Sequence, residues 1–172
     1  MFIGEAPGFN EDKQGRPFVG AAGKFLEQLL GVAGLKREDV FIGNVLKCRP
    51  PNNRDPMPDE IEACRKWLDR QIELIRPEVI VTLGRFSMGR FIPGASISRI
   101  HGDPRVIDGV TVVPMFHPAA ALHQERYRAL IVEDFKKLPE ILRASQERKR
   151  AAPASPPREE QPAVVVEQGR LF

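Results

Sequence analysis

Apolar residues along the chain fall into short continuous runs that alternate with stripes at helical spacing. Three of the apolar runs are typical of strands buried on both faces of a sheet: 41–46, 79–83 and 110–116. Helical spacing of the apolar residues predicts four helices: 23–32, 59–75, 86–91 and 126–144. Because strands and helices alternate, we predict an α/β fold, a three-layer α/β/α sandwich with a mostly parallel central sheet.

The sequence opens on a short apolar run over residues 1–3, which turns at once into the glycine-rich loop 4–8. This pattern is typical of the second half of a core strand. A domain that began inside such a strand would leave backbone groups unpaired beside the missing residues. We therefore expect the domain to be incomplete at its N-terminus, with further residues of the complete protein upstream of Met1.

The composition is that of an ordinary globular protein of one domain, with 172 residues of which 42% are hydrophobic and 28% charged. Its 26 basic and 23 acidic residues give a net charge of +3, which permits a nucleic-acid partner but does not demand one. No run approaches the roughly 20 apolar residues of a membrane span, and the N-terminus lacks a secretory pattern. We expect a cytoplasmic protein with no membrane partner.

The sequence contains two cysteines, Cys48 and Cys64. Two thiols in a chain of this size do not make the dense disulfide framework of a small secreted protein. The residues alone therefore leave two interpretations, which are buried thiols and metal ligands.

The composition changes near residue 145. Charged residues cluster over 146–150, and four prolines follow within 151–162, which is typical of a linker. We accordingly predict a folded domain over 1–144, a disordered linker over 145–163 and a C-terminal peptide over 164–172.

Three predicted loops follow strands at the edge of the sheet where open parallel sheets bind ligands: 4–8, 44–51 and 117–122. They offer one carboxylate, one amide and one imidazole, from Glu5, Asn44 and His117. A phosphate-binding loop is excluded, because Phe18 and Phe25 stand where its first glycine and its Ser or Thr belong. The glycine pattern of dinucleotide-binding folds and the G-x-S-x-G pattern of α/β hydrolases are also missing.

Four linked motifs occur in order along the chain: GEAPG at 4–8, GRPFVG at 15–20, NVLKCRPP at 44–51 and HPAA at 117–120. On these motifs the chain resembles the iron–sulfur, family 4 uracil-DNA glycosylases, over about residues 1–142. The resemblance implies a DNA repair enzyme, and we expect a monofunctional one because no lysine stands at a motif position that would form a Schiff base with the sugar. Such an enzyme flips uracil out of uracil-containing DNA and hydrolyses its N-glycosidic bond, releasing free uracil and leaving an abasic site.

The resemblance also implies roles for three side chains that would surround the flipped base. Phe18 matches the stacking aromatic, and stacking of a base contributes about 1–3 kcal/mol. Asn44 matches the asparagine that donates to uracil O4 and accepts from N3–H, and His117 matches the donor to O2 as charge builds on the leaving base. The alternatives are a core phenylalanine, an asparagine that caps a turn and a histidine with only local hydrogen bonds.

The first motif implies the remaining groups around the base. Glu5 is the second catalytic candidate beside His117, and it either positions the attacking water or stabilises the cationic sugar. Gly4 and Ala6 would contribute backbone groups to substrate binding.

Members of the family hold a four-iron four-sulfur cluster on four thiolates, two of which correspond to Cys48 and Cys64. The other two come from a C-x-x-C that this sequence lacks. We expect those two ligands upstream of Met1, and a cluster that is incomplete or absent in the chain as it stands. No nucleotide cofactor is expected, and the alternative for the two thiols is that both are buried and reduced.

Four further residues are candidates for DNA contact. Arg49, Arg54 and Arg126 lie near the motifs and are candidates to meet phosphates, although any single one of them is more often a solvated surface charge. Leu122 is a candidate wedge for the gap that a flipped base leaves, with packing under the next helix as its alternative.

An alternative function is a uracil-DNA-binding protein without turnover, through truncation or through covalent trapping of the sugar at His101. An unusual relative of the family traps its substrate in this way, from a histidine in a longer basic loop. That relative carries Gln where Ala6 stands here. We favour the enzyme that turns over, acting as a monomer.

The C-terminal pentapeptide 168–172 resembles the peptides by which bacterial polymerases and repair proteins bind the DNA sliding clamp. Gln168, Leu171 and Phe172 carry the resemblance, and an apolar pair on a solvated tether suits a pocket on a partner. The alternative is an apolar tail end without a partner.

Deletion of residues 168–172 is expected to weaken binding to a bacterial sliding clamp by roughly tenfold or more, because two apolar anchors are lost. A fluorescence-anisotropy titration of the labelled protein with the clamp measures the change. Deletion of 158–162, which shortens the tether and keeps the pentapeptide, is the control. Unchanged affinity after the first deletion would contradict the clamp prediction.

Overall fold

The apolar runs of the sequence form the sheet of the computed structural model, which describes residues 1–151. The strands are β1 (Phe2–Gly4), β2 (Ile42–Asn44), β3 (Val79–Leu83), β4 (Arg105–Ile107) and β5 (Val110–Met115). Their order across the sheet is β2-β1-β3-β5-β4. All neighbouring pairs are parallel except β4, which pairs with β5 as an antiparallel edge strand. The mostly parallel sheet is therefore confirmed.

In the described range 1–151, seven α-helices accompany the strands: α1 (Phe9–Gln14), α2 (Ala21–Val32), α3 (Pro58–Ile75), α4 (Arg85–Phe91), α5 (Ile97–Ile100), α6 (Ala119–His123) and α7 (Arg126–Ala151). Two short 3₁₀ turns lie at Arg37–Asp39 and Pro51–Asn53. No helix within the described part of the chain combines the length and the apolar composition that a membrane crossing requires.

Successive side chains of each strand point to opposite faces of the sheet, and this alternation creates two cores. On β3, Val81 packs into a core shared with α2, α6 and α7, whereas its neighbour Ile80 packs into a second core with α3 and α4. The same alternation separates Phe2 from Ile3 on β1. Helices therefore cover both faces, which confirms the three-layer α/β/α sandwich.

Helix α7 continues seven residues beyond the predicted domain end at residue 144, so residues 145–151 are helical rather than a disordered linker. Ser145 is buried, where its Oγ donates to the carbonyl of Glu78 at 3.1 Å and accepts from Thr111 Oγ1 at 2.9 Å. Arg148 donates to the same Thr111 hydroxyl at 2.8 Å. These polar contacts with the sheet stabilise a segment whose composition resembles that of a linker.

The rest of the predicted linker and the predicted peptide over 164–172 lie outside the described residues.

Replacement of the buried hydroxyl, Ser145→Ala, is expected to destabilise the protein by about 1–3 kcal/mol, because the Glu78 carbonyl loses this donor and the Thr111 hydroxyl loses the acceptor for its proton. Urea unfolding of the 172-residue chain measures the loss. The matched control is Ser98→Ala at an exposed site, where we expect a change within about 0.5 kcal/mol. Equal stability of both variants would show that α7 does not depend on this contact.

Candidate active site

A cleft of about 370 Å³ opens at the carboxyl ends of β1, β2 and β5, where the three predicted loops meet. Loops that leave neighbouring parallel strands meet at this edge, which is where open α/β sheets bind ligands. The cleft brings together six of the residues proposed from the sequence: Glu5, Ala6, Phe18, Asn44, Arg54 and His117. Gly4, also proposed from the sequence, lies beside Asn44 and Phe18 at the end of β1.

Gly4 allows two of these side chains to come close to the strand. It pairs with Asn44 in the register of β1 against β2. A Cβ atom on Gly4 would lie 2.5 Å from Asn44 Oδ1 and 2.7 Å from Cε2 of Phe18, both far inside van der Waals contact. The amide and the ring therefore converge at this point only because residue 4 has no side chain.

The side-chain amide of Asn44 is buried, with 6% of its surface exposed. Its Oδ1 has no hydrogen-bond partner within residues 1–151. An unpaired buried acceptor costs about 1–3 kcal/mol, so such atoms are rare in folded proteins unless a ligand satisfies them. The backbone carbonyl of Asn44, by contrast, accepts from Lys47 Nζ at 2.8 Å, and the same ammonium donates to Gln71 Oε1 at 2.7 Å.

Phe18 lies buried between Gly4 and His117, with its ring stacked on the imidazole at a centroid distance of 5.4 Å and an angle of 27°. Its backbone is in the left-handed region at φ +54°, which is uncommon for a residue with a large side chain. The carboxylate of Glu11 accepts from the Val19 and Gly20 amides at 2.9 and 2.8 Å, which fixes the amide side of this loop.

Glu11 is held ionised by this arrangement. Burial by itself raises the pKa of its carboxyl, but the hydrogen bonds from the backbone amides outweigh burial and leave the pKa below its usual value. The ionised carboxylate of Glu11 therefore binds the backbone of the loop that carries Phe18.

The imidazole of His117 is uncharged at neutral pH. Burial lowers its pKa to about 4, against a smaller opposing effect from the negative charge of Glu11. The Ala119 amide donates to His117 Nδ1 at 3.1 Å, so in the neutral ring the proton is on Nε2. His117 therefore offers a neutral N–H donor in the cleft.

Glu5 is partly buried at the start of the loop that follows β1. Burial raises the pKa of its carboxyl, and the nearby charge of Asp55 raises it further, against an opposing effect from Arg85. A carboxylate with a raised pKa is a better proton acceptor than an unperturbed one, which suits work on a water molecule.

Three polar side chains that line the cleft were not among the predicted site residues: Glu11, Asn53 and His123. Asn53 has a left-handed backbone, with φ +52°, and its Oδ1 accepts from Arg49 Nε at 2.7 Å. The signal for Asn53 was present in the sequence, because an asparagine after a Pro-rich segment favours such a turn. Glu11 and His123 lie on short helices that carry no comparable motif.

The candidates for DNA contact lie around the cleft and differ in their exposure and in their ion pairs. Arg54 lines it but forms a two-pronged ion pair with Glu60, at 2.9 and 2.7 Å. Arg126 lies exposed beside the Tyr127 ring, and Leu122 on α6 leaves 47% of its surface exposed.

The two cysteines are not both buried, so the expectation of buried thiols is wrong for Cys48, which is exposed. Cys64 on α3 is partly buried, and its Sγ accepts from the backbone amide of Lys47 at 3.4 Å. No group of three or more metal-binding side chains exists within residues 1–151. The described residues therefore offer two thiols and no complete metal site.

His101 is not among the residues that line the cleft. Its Nδ1 lies 2.6 Å from Oδ2 of the buried Asp134 on α7, and its ring packs at 4.7 Å on Phe116. Asp134 also accepts from Lys137 Nζ at 3.0 Å. These contacts give His101 a structural role in attaching its loop to α7.

A family model described as the uracil DNA glycosylase superfamily matches residues 1–138. This match spans every strand of the sheet, all three loops of the cleft and the first half of α7. The fold and the cleft therefore define a protein of that class.

Curated relatives narrow the class. A type-4 uracil-DNA glycosylase of Sulfurisphaera tokodaii is 53% identical over 153 residues, which cover 82% of this chain and 69% of the relative. Proteins of the same name from Archaeoglobus fulgidus and Thermotoga maritima are 50% and 48% identical, over 82% and 80% of this chain and 75% and 74% of their own lengths. The chain therefore belongs to the type-4 uracil-DNA glycosylase family, which confirms the resemblance drawn from the four motifs.

The imidazole of His117 is expected to titrate near pH 4, because burial disfavours its charged form. An NMR titration of the ring nitrogens should show a neutral ring with its proton on Nε2 at pH 6. Between the unfolded pKa near 6.5 and this lower value, the unfolded chain binds the proton and the folded chain does not. Stability should therefore fall as the pH drops through that window.

The variant His117→Gln should lose this part of the pH dependence. A ring that titrates near pH 6.5 in the folded protein would contradict the assignment of a neutral donor.

Proposed function

We propose that the chain is a uracil-DNA glycosylase of DNA repair. It flips uracil out of DNA and hydrolyses the bond between the base and the sugar. The relatives named type-4 uracil-DNA glycosylase support this activity, and the geometry of the cleft supports the residues that carry it. The observation that carries the assignment of residues is the unpartnered, buried Oδ1 of Asn44 beside Phe18 and His117.

Asn44 reads the base. Its Oδ1 accepts from the N3–H of uracil, and its Nδ2 donates to O4. Cytosine presents an acceptor at N3 and a donor at the neighbouring position, so it would leave the buried amide unpaired. A site built around a buried hydrogen bond rejects such an analogue strongly.

Phe18 holds the base by stacking, and the absent side chain at Gly4 lets the ring and the amide act on one base. Phe18 lies against His117 in this structure, so the stacking ring and the imidazole line the same part of the cleft. Gly4 and Ala6 add backbone groups at the same edge.

His117 stabilises the leaving base. As the glycosidic bond breaks, its electron pair moves onto the uracil ring, and negative charge builds at O2. The neutral Nε2–H of His117 donates to that oxygen, and one such donor lowers a barrier by about 2.7–4 kcal/mol. A neutral donor keeps its proton, so uracil leaves as an anion that solvent protonates.

Glu5 serves the sugar side of the reaction. Water adds to the sugar carbon from which the base departs, and it loses a proton as the new bond forms. The Glu5 carboxylate either accepts that proton or stabilises the cationic sugar, and both roles need its ionised form. Activity should therefore fall as the pH drops through the raised pKa of Glu5.

Exposed residues around the cleft meet the DNA. Leu122 on α6 is proposed to fill the gap left by the flipped base, and Arg49, Arg54 and Arg126 to meet phosphates. Arg54 must exchange its Glu60 partner for a phosphate, so its contribution to binding should be smaller than that of Arg126.

The iron–sulfur cluster expected for the family needs four thiolates. Cys48 and Cys64 are the candidate ligands, and they are the only two cysteines of this sequence. The residues present therefore do not fit a complete cluster, and no step of the reaction is assigned to one.

The variants Asn44→Ala and His117→Ala are expected to lower uracil release by roughly 100-fold or more each, because each removes a hydrogen bond to the reacting base. The assay uses a labelled oligonucleotide with one uracil and detects alkali-labile abasic sites under single-turnover conditions. Gln28→Ala, which removes an amide from the exposed face of α2, should leave the rate unchanged.

The same lanes, run under denaturing conditions, test the alternative function. A protein–DNA band that resists denaturation would indicate covalent capture, and its loss in His101→Ala would place the bond there. No abasic site and no adduct from a folded wild-type protein would overturn the glycosylase.

A further inference from the structure

The loop that presents Phe18 is held in a conformation that its own residues do not favour. Phe18 has φ +54°, and bulky residues rarely adopt this left-handed backbone without support from their surroundings. The ring is buried between Gly4 and the His117 imidazole, so a shift of the backbone would move it out of line with both. Contacts that fix this backbone therefore also fix the stacking surface.

Arg37 makes such contacts from a distant part of the chain. It lies in the 3₁₀ turn Arg37–Asp39, nineteen residues after Phe18. Its Nη1 donates to the Phe18 carbonyl at 3.1 Å, and its Nη2 donates to the carbonyl of Pro17. A guanidinium presents two parallel donors in a fixed plane, which matches two consecutive carbonyls as a single ammonium cannot.

The ion pair of Arg37 with an acidic residue is weaker than its hydrogen bonds to the two carbonyls. Glu27 on α2 lies 3.8 Å from Nη1, beyond hydrogen-bond distance, and 55% of its side chain is exposed against 23% for Arg37. An exposed ion pair at this distance contributes little. The principal contacts of this partly buried cation are therefore the two carbonyls of the Phe18 loop.

Gly23 on α2 packs closely against the Phe18 carbonyl that Arg37 also contacts. A Cβ atom at this position would overlap the carbonyl group of Phe18, so the helix approaches the loop as closely as backbone allows. Glu11 holds the amides of Val19 and Gly20 on the far side of the loop. The loop is thus fixed by a cation on its carbonyls and an anion on its amides.

We propose that Arg37 is a positioning residue for base excision, which acts through the Phe18 backbone and touches neither the base nor the sugar. The proposal rests on the proposed role of Phe18 in stacking uracil. Arg37 sets the position and tilt of the stacking ring. Loss of the two hydrogen bonds from its guanidinium releases the ring, while the hydrogen-bonding groups of the cleft stay in place.

The test compares five proteins: wild type, Arg37→Gln, Phe18→Ala, the double variant, and Glu27→Gln as the matched control. Single-turnover uracil excision is measured at a temperature where urea or heat curves show each protein fully folded. We expect Arg37→Gln to lose roughly tenfold to 100-fold in rate, because a misplaced binding group costs this much. The double variant should be no slower than Phe18→Ala, and Glu27→Gln should match wild type.

Binding provides the second readout. Duplexes that carry a non-cleavable 2′-fluorinated deoxyuridine or a tetrahydrofuran abasic analogue are titrated with each protein. Arg37→Gln should weaken binding to the uracil analogue and leave the abasic duplex unaffected, since the latter has no base to stack. A general structural role would weaken both.

Three results would overturn the role of Arg37: an Arg37→Gln variant as active as an active wild type, losses that multiply in the double variant, or equal loss of affinity for both duplexes. A folded wild-type protein that releases no uracil would instead overturn the proposed function, and the role of Arg37 with it.

Discussion

The close approach between Gly4 and Asn44 at the carboxyl ends of β1 and β2 is the constraint on which the site depends. Parallel pairing sets these two residues side by side, and the bare Cα of Gly4 leaves room for an amide oxygen and an aromatic ring above one strand end. A slip of one residue in this register would turn Asn44 toward the opposite face of the sheet. The sheet core and the chemistry are therefore specified by the same pairing.

Charges in the site act mainly on the protein backbone. Glu11 binds loop amides and Lys47 binds the Asn44 carbonyl, while His117 is kept neutral by burial. Among residues 1–151, Glu5 alone combines a position in the cleft with a carboxyl whose pKa is raised. The fixed charges of Glu11 and Lys47 thus hold loops of the cleft, whereas the buried imidazole offers a neutral donor.

The sequence predicted most of the sheet and most of the site, because both leave local patterns. The run Val79–Leu83 is apolar throughout since both its faces are covered, and the motif loops place Glu5, Asn44 and His117 together. Helix α1 left no pattern, because none of its residues is buried. The positioning contact of Arg37 and the polar anchoring of Ser145 join distant segments, and single-sequence patterns do not record such pairs.

The path of α7 separates the two ends of the molecule. The helix begins beside α6, whose residues line the cleft, and it passes Glu78 at the opposite edge of the sheet before it reaches Ala151. Its 26 residues span about 39 Å at 1.5 Å per residue. A partner that bound the last turns of α7 would therefore lie at the end of the sheet opposite the cleft, and it would leave the mouth of the cleft clear for DNA to approach.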